Sequence, residues 1–383
     1  TYLRKSFGKR PRGCWLTEYA WEPWLASTLQ TSGMDYTFLS TAQFAEAAGI
    51  LPGSGQDELT SIHTINTPAT TEDQGRTVTV LPVLDCAWNA GHPVGLVDMA
   101  ERAPPAPVNV IMAPGESIGT LWEASGLESP DLYMERTFAW FRRNALQTET
   151  TTPSRYLKAR PVTRRLYFPG SASMSYHSAV RPGSGYSTCS SLKQAVLATA
   201  SASRLYSRMH YVHLLIGQLR GDKSRKKSAL EDLWKGQEGD AYWRSARGGI
   251  ADPAIRESAL RSLIDAELTT RIPGVFKPGF IRADIDFDNL REYIYQIAEL
   301  NAHIHPVGAR LVELEALASR RNLCNVFTAT PDLDTSRASC FVDRLYETEP
   351  PADRVTSPWT GDACSLSSHQ YDEALAEDRK SVV

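Results

Sequence analysis

The sequence has no apolar run close to the roughly 18–20 residues that a membrane-spanning helix needs, and its first residues lack the apolar core of a signal peptide. A formal net charge of −3 gives no reason to expect a nucleic-acid or membrane partner. The six cysteines are irregularly spaced without a C-x-x-C pair, which argues against a disulfide framework or a zinc site. We therefore expect a cytoplasmic protein with no membrane or nucleic-acid partner, no cofactor and no metal.

The composition is that of a globular protein, since 42% of the 383 residues are hydrophobic and 22% are charged. A chain of this length is expected to form two or three domains. Strands and helices alternate first, then apolar residues recur at helical spacing, and the last third becomes strand-like. These changes predict domains at 1–180, 190–280 and 281–345, followed by an acidic, partly disordered tail at 346–383.

The most informative stretch is residues 13–24, where a short apolar run ends at Glu18. Three indoles flank this carboxylate, at Trp15, Trp21 and Trp24. Carboxyl groups perform the chemistry of glycoside cleavage, and flat aromatic faces stack on sugar rings. The pattern fits a sugar site, but on composition alone a core strand with a carboxylate at its edge is favoured, because tryptophan is often simply a core residue.

Residues 15–23 resemble the W-L-T-E-R-x-W-E-P segment of glycoside hydrolase family 57, the retaining α-amylases and 4-α-glucanotransferases. The Glu of that segment is the family's catalytic nucleophile, so the resemblance assigns this role to Glu18. Trp15 would stack on the sugar, and Tyr19 replaces the family's Arg. The resemblance implies α-glucan or maltooligosaccharide as the partner.

The similarity continues over roughly residues 8–345 and is specific again at 237–243. That segment resembles the family's Q-C-N-D-A-Y-W-H element, whose Asp and Trp contribute to the sugar site and correspond to Asp240 and Trp243. Without the resemblance, Trp243 would be expected to pack at a helix end. The family implies an α/β fold, with an incomplete (β/α)7-type barrel, a helical bundle and the start of a β-sandwich. Glu18 and Asp240 are then expected to share one pocket at the C-terminal face of the barrel.

The sequence departs from the family where the second catalytic carboxyl group is expected. The family has D-D-G-E-K-F-G, in which the second Asp is the general acid/base, and this position is Pro114. Proline cannot transfer a proton, whereas a retaining enzyme needs two carboxyl groups about 5–5.5 Å apart. Glu116 is the nearest carboxylate along the chain, and a loop or helix-capping role is favoured for it. We therefore expect impaired catalysis.

Other family positions are also altered. The acids and the histidine that follow the next strand are replaced by Ser40, Thr41 and Gln43, and no H-x-H-Q-P segment precedes Thr1. The sequence therefore predicts an N-terminally truncated and degenerate family member. A non-catalytic α-glucan-binding protein or scaffold is the first alternative.

A serine esterase is the second alternative. Residues 115–119 fit the G-x-S-x-G nucleophile elbow with Ser117 as nucleophile, and Asp240 and a histidine at 303 or 305 follow in the required order. His303 and His305 also have a spacing that metals use on one face of a strand. No third ligand is evident in the sequence, so we expect them to be ordinary strand histidines.

Overall fold

The computed structural model describes residues 2–50, 63–84, 96–101, 103, 106–112, 122–123, 125–172, 191–197, 200–242, 249–307, 310–325, 344–346 and 363–365. The chain divides into two compact units, Thr1–Leu192 and Lys193–Val383. Most of the predicted disordered tail lies outside the described residues. In the described part of the chain, no helix is long and apolar enough to cross a membrane.

The first unit contains both helices and strands. In chain order they are α1 (Tyr2–Phe7), a 3-10 turn (Thr17–Tyr19), α2 (Leu25–Thr31), β1 (Tyr36–Ser40), α3 (Thr41–Ala47), β2 (Ala69–Asp73), β3 (Arg76–Val83), α4 (Leu96–Glu101), α5 (Pro130–Arg143) and α6 (Pro153–Ala159).

The sheet of the first unit is largely parallel. Strand β1 pairs in parallel with β3, whose other edge pairs in an antiparallel manner with the hairpin strand β2. Isolated parallel bridges join Gly13 to Tyr36 and Val83 to Val110. Helix α2 connects the segment at Gly13 to its parallel neighbour β1, as parallel pairing requires a crossover. The predicted mixed α/β class is confirmed at this level.

Apolar side chains from both layers form one core in the first unit. Its buried members are Trp21, Ala26, Leu29, Leu39, Phe44, Ala69, Val78, Val80 and Phe168. At the first segment of the sheet, the backbone of Gly13 lies very close to the ring of Tyr36 on β1. A Cβ added to Gly13 would be only 2.0 Å from Cε2 of that ring. Only glycine lets the segment before Glu18 lie against β1 in this way.

The second unit begins with helices and continues with an antiparallel sheet. Its elements are α7 (Leu192–Leu197), α8 (Ala200–Gln218), α9 (Lys223–Gly236), two 3-10 turns (Gly239–Ala241 and Gly249–Ala251), α10 (Pro253–Thr270), β4 (Gly279–Ala283), β5 (Glu292–Gln296), β6 (Leu300–His305), β7 (Arg310–Ala316), β8 (Arg321–Asn322), β9 (Arg344–Tyr346) and β10 (Ala363–Ser365).

Helices α8, α9 and α10 pack on one another, and strands β4 to β8 form a sheet in chain order. Helices α9 and α10 approach closely at Gly236, where an added Cβ would lie 2.5 Å from Leu263. Apolar contacts between helix and sheet involve Tyr211, Ile285 and Ile294. Helix α8 therefore packs on the sheet, and α10 also contacts it at β8.

A buried charge cluster also joins helix α8 to the sheet. The Arg208 side chain is fully buried and its guanidinium contacts three carboxylates, those of Glu267, Glu313 and Glu315. Arg271 pairs with Glu267 as well, at 2.8 Å. Two guanidinium groups therefore face three carboxylates, which leaves one negative charge unbalanced if all three are ionised.

The carboxyl groups of this cluster differ in proton affinity. Burial alone would raise the pKa of Glu267, but Arg208 and Arg271 lower it to about 2. For Glu313, burial dominates and raises the pKa to about 8, although Arg208 acts against it. Its Oε2 accepts no hydrogen bond. Glu313 is thus the member that carries a proton at neutral pH.

Glu313→Gln is expected to change how stability depends on pH. Because the pKa of Glu313 is about 8 in the folded chain and near 4.5 when exposed, its contribution to stability is lost as pH rises through this window. Glutamine mimics the protonated form of Glu313 at every pH. The free energy of unfolding of the variant should therefore rise relative to that of the parent between pH 5 and 9, by an amount on the order of several kcal/mol. Urea unfolding across this range measures the difference. Parallel pH profiles for parent and variant would contradict the assignment, and Glu231→Gln, an exposed carboxylate on α9, is the control.

Candidate functional site

Glu18 lies on a strained turn. Its backbone has φ 54° and that of Tyr19 has φ 50°, both in the left-handed region that favours glycine. Such residues cost about 1–3 kcal/mol each and persist only where the surrounding structure holds them. Strain of this kind is concentrated at functional sites. The turn therefore presents Glu18 in a conformation that the chain would not adopt by local preference.

Hydrogen bonds hold the chain on both sides of this turn. Before it, the Cys14 N–H donates to the Tyr36 carbonyl at 3.2 Å, and the Thr37 hydroxyl donates to the Cys14 carbonyl at 3.1 Å. After it, Trp21 and Ser171 exchange two backbone hydrogen bonds, of 2.7 and 2.9 Å. The ends of the turn are thus fixed to the sheet and to a distant segment, which resists relaxation of the strained backbone.

Gln43 holds the turn at Glu18 and Tyr19 from its buried side. It is buried, and its Nε2 donates to the Tyr19 carbonyl at 2.9 Å and to the Ser171 hydroxyl at 2.8 Å. Gln43 also forms a reciprocal capping box with Ser40 at the start of α3. In the sequence, Ser40 and Gln43 stand among the positions where the family has two acids and a histidine, and no structural role was predicted for them. The S-x-x-Q pattern was the signal that indicated their structural role.

The three indoles of the motif have different environments. Trp21 is fully buried, whereas Trp15 and Trp24 are 46% and 56% exposed. The Trp15 ring stacks on that of Tyr19, with centroids 5.2 Å apart and an interplanar angle of 18°. The residues on either side of Glu18 therefore form a partly exposed aromatic surface, of the kind that stacks on a sugar ring.

The segment leading to position 114 reaches the same turn. Val110 pairs with Val83, and the Tyr19 hydroxyl lies 3.8 Å from Sδ of Met112. Pro114, Glu116 and Ser117 lie outside the described residues. The chain two residues before position 114 is nevertheless in contact with the neighbour of Glu18.

Asp240 and Trp243 belong to the second unit. Asp240 is exposed on the 3-10 turn Gly239–Ala241, which follows α9, and Trp243 lies outside the described residues. Tyr242 is buried and its hydroxyl donates to the Gly236 carbonyl at 2.6 Å, so it packs at the end of that helix. The shared pocket of Glu18 and Asp240 stays a prediction.

The two strand histidines are both buried in β6 but have different partners. His303 faces Glu313 at 3.5 Å, and burial, with a smaller effect of Arg208, lowers its pKa to about 3. A histidine that stays neutral and enclosed does not suit the general-base role in the esterase alternative. His305 lies 2.9 Å from Asp288, near two further carboxylates. The sequence showed no such partners, because the sheet brings them together.

Comparisons with known proteins agree with the motif at Glu18. Residues 1–84 match the model of glycosyl hydrolase family 57. The chain is 21% identical to alpha-amylase 1 of Dictyoglomus thermophilum, over 88% of the chain and 51% of the relative. It is 24% identical to a 4-alpha-glucanotransferase of Thermococcus kodakarensis, over 84% of the chain and 49% of the relative.

The fold is also similar to a solved structure. The crystal structure of 4-alpha-glucanotransferase from Thermococcus litoralis superposes with a TM-score of 0.65 at 21% identity, over 84% of this chain and 49% of that one. The chain thus spans about half the length of the relatives it matches. On the family match of its first residues and the likeness of sequence and fold beyond them, the chain is related to glycosyl hydrolase family 57.

Proposed function

We propose that the Glu18 turn is the nucleophile side of an α-glucan site, and that this chain binds maltooligosaccharides there with little or no turnover. The observation that carries the proposal is the strained, clamped turn at Glu18, whose flanking residues Trp15 and Tyr19 stack on each other as a partly exposed aromatic surface. The names of the relatives, alpha-amylase and 4-alpha-glucanotransferase, supply the substrate class.

The expected impairment follows from the chemistry of retaining glycosidases. A carboxylate attacks the anomeric carbon while a second carboxyl group protonates the departing oxygen. Without that acid the sugar must depart as an alkoxide, and losing a general acid typically costs about 10²–10⁴-fold in rate. Pro114 cannot supply the proton. Stacking on an indole needs no proton transfer, so binding survives the loss.

We also propose that the two units consist of an incomplete barrel, a helical bundle and the start of a β-sandwich. The parallel segments at Gly13, β1, β3 and Val110 are consistent with consecutive strands of an incomplete (β/α)7 barrel over 1–180. Helices α7 to α10 then form the bundle at 190–280, and the sheet from β4 onward starts the β-sandwich at 281–345. Asp240 and Trp243 are proposed to contact sugar because residues 237–243 resemble the family element that does so.

Trp15→Ala is expected to weaken maltoheptaose binding about tenfold, which corresponds to a loss of about 1.4 kcal/mol of stacking energy. Isothermal titration measures the affinity. Trp234→Ala, which should leave the affinity unchanged, is the matched control, because Trp234 is a similarly exposed indole outside the motif at Glu18. Equal affinity of Trp15→Ala and parent would remove Trp15 from the site, and a parent that binds no maltooligosaccharide would favour the scaffold alternative.

A further inference from the structure

The loop between β4 and β5 is rich in carboxylates and folds tightly on itself. Its sequence is Asp-Ile-Asp-Phe-Asp-Asn over residues 284–289. The carboxylate of Asp284 accepts hydrogen bonds from the N–H groups of Phe287 and Asn289, at 2.7 and 3.1 Å. Both of these residues have positive φ, 64° and 70°. The folded loop leaves Asp286 and Asp288 beside the first residue of β5 and the last residue of β6.

Four side chains converge at this point. Asp286, Asp288, Glu292 and His305 each place one oxygen or nitrogen so that all four atoms lie within 4.8 Å of one another. Carboxylate oxygens bind Ca²⁺ at about 2.3–2.6 Å, so oxygens on opposite sides of one ion are up to about 5 Å apart. The spread of the cluster therefore fits one cation.

An independent observation at Glu292 indicates that the cluster is incomplete without a positive group. The residue is only 2% exposed, and its Oε2 accepts the Ile285 N–H at 2.7 Å. The other oxygen, Oε1, is buried and has no hydrogen-bond partner. The adjacent Asp286 carboxylate is a hydrogen-bond acceptor, so it cannot donate to Oε1 of Glu292. A proton or a bound cation would relieve this buried oxygen.

The hydrogen bonds of His305 decide which atoms would bind the ion. Its Nδ1 accepts the Val307 N–H at 3.2 Å and faces Nη2 of Arg310 at 3.2 Å. Since Nδ1 accepts a hydrogen bond, the ring N–H is on Nε2, which lies 2.9 Å from Oδ2 of Asp288. A protonated nitrogen cannot ligate a metal. His305 therefore donates to Asp288 and orients it, and oxygen atoms are the available ligands.

We propose that this unit binds one Ca²⁺ ion through the carboxylates of Asp286, Asp288 and Glu292, with His305 as a positioning residue. Oxygen ligands on an irregular loop suit this hard, geometrically tolerant cation better than Zn²⁺, which would take the histidine nitrogen. A cavity of about 320 Å³ borders Asp286 and Glu292 and has room for water ligands. The ion would tie the β4–β5 loop to β5 and, through His305, to β6.

The test uses the full chain after dialysis against EDTA. Titration calorimetry at pH 7 is expected to show one Ca²⁺ bound per chain, and thermal unfolding should shift upward by about 5 °C at saturating Ca²⁺. Asp288→Asn should weaken Ca²⁺ binding at least tenfold and remove most of the shift. This side chain is 38% exposed, so the variant should fold even if Glu292→Gln, which alters a buried group, does not.

Asp232→Asn is the matched control, since Asp232 pairs only with Lys235 on α9 among the described ion pairs and should leave Ca²⁺ binding unchanged. Absence of any Ca²⁺-dependent shift in the parent would overturn the proposal. Undiminished Ca²⁺ affinity in Asp288→Asn would do the same. Tighter binding of Zn²⁺ than of Ca²⁺ would overturn the assignment of oxygen ligands and of the role of His305.

Discussion

Arg208→Met is expected to destabilise the second unit by about 3–5 kcal/mol, the cost of removing one partner from a buried ion pair. The guanidinium is fully buried and contacts Glu267, Glu313 and Glu315. Methionine fills much of the same volume but supplies neither charge nor donors. The remaining carboxylates must then take up protons or stay buried without compensation.

The matched control is Arg261→Met on α10, where the pair with Glu257 is half-exposed. A surface ion pair of this kind contributes about 0–1 kcal/mol. Urea unfolding followed by far-ultraviolet circular dichroism compares the two variants. Arg208→Lys keeps the charge without the planar fork, so its stability should lie between parent and Arg208→Met. Equal unfolding midpoints for Arg208→Met and Arg261→Met would show that the cluster contributes no net stability.

The features that the sequence predicted are those with a local cause. The parallel arrangement near β1 follows from an apolar run, a helix and a second apolar run within 30 residues. The aromatic character around Glu18 was visible as three indoles, but the sequence did not distinguish buried Trp21 from exposed Trp15. That distinction depends on the bridge between Trp21 and Ser171, a pairing across 150 residues.

The features that it did not predict arise from contacts between distant segments. Nothing local in Glu18 and Tyr19 indicates positive φ, because the conformation is imposed by the clamps on either side of the turn. The Arg208 cluster combines residues from two helices and a strand, and its members Arg208 and Glu315 are 107 positions apart. The aspartates after β4 are visible as a pattern, but only strand register brings His305 to them.

Pro114→Asp is expected to raise maltooligosaccharide disproportionation by about 10²–10⁴-fold, the usual contribution of a general acid. The reason is the missing second carboxyl group, since the described chain already places Met112 against the neighbour of Glu18. Product analysis of maltotriose incubated with each variant measures the change. Pro114→Asn is the matched control, because its amide resembles aspartate in shape but cannot protonate a leaving group.

An activated substrate distinguishes two causes of low activity, the lack of a general acid and a site that is inactive for other reasons. A dinitrophenyl α-maltoside has a leaving group that departs without protonation. The parent chain, which has Pro114, should therefore cleave it, and Glu18→Gln should abolish this cleavage. The gain from Pro114→Asp should then be confined to natural maltooligosaccharides, whose alkoxide leaving groups need the proton. Rapid disproportionation by the chain with Pro114, abolished in Glu18→Gln, would mean that another group already serves as the acid. Cleavage of neither substrate by any variant would leave Glu18 without a nucleophilic role and restrict the site to binding.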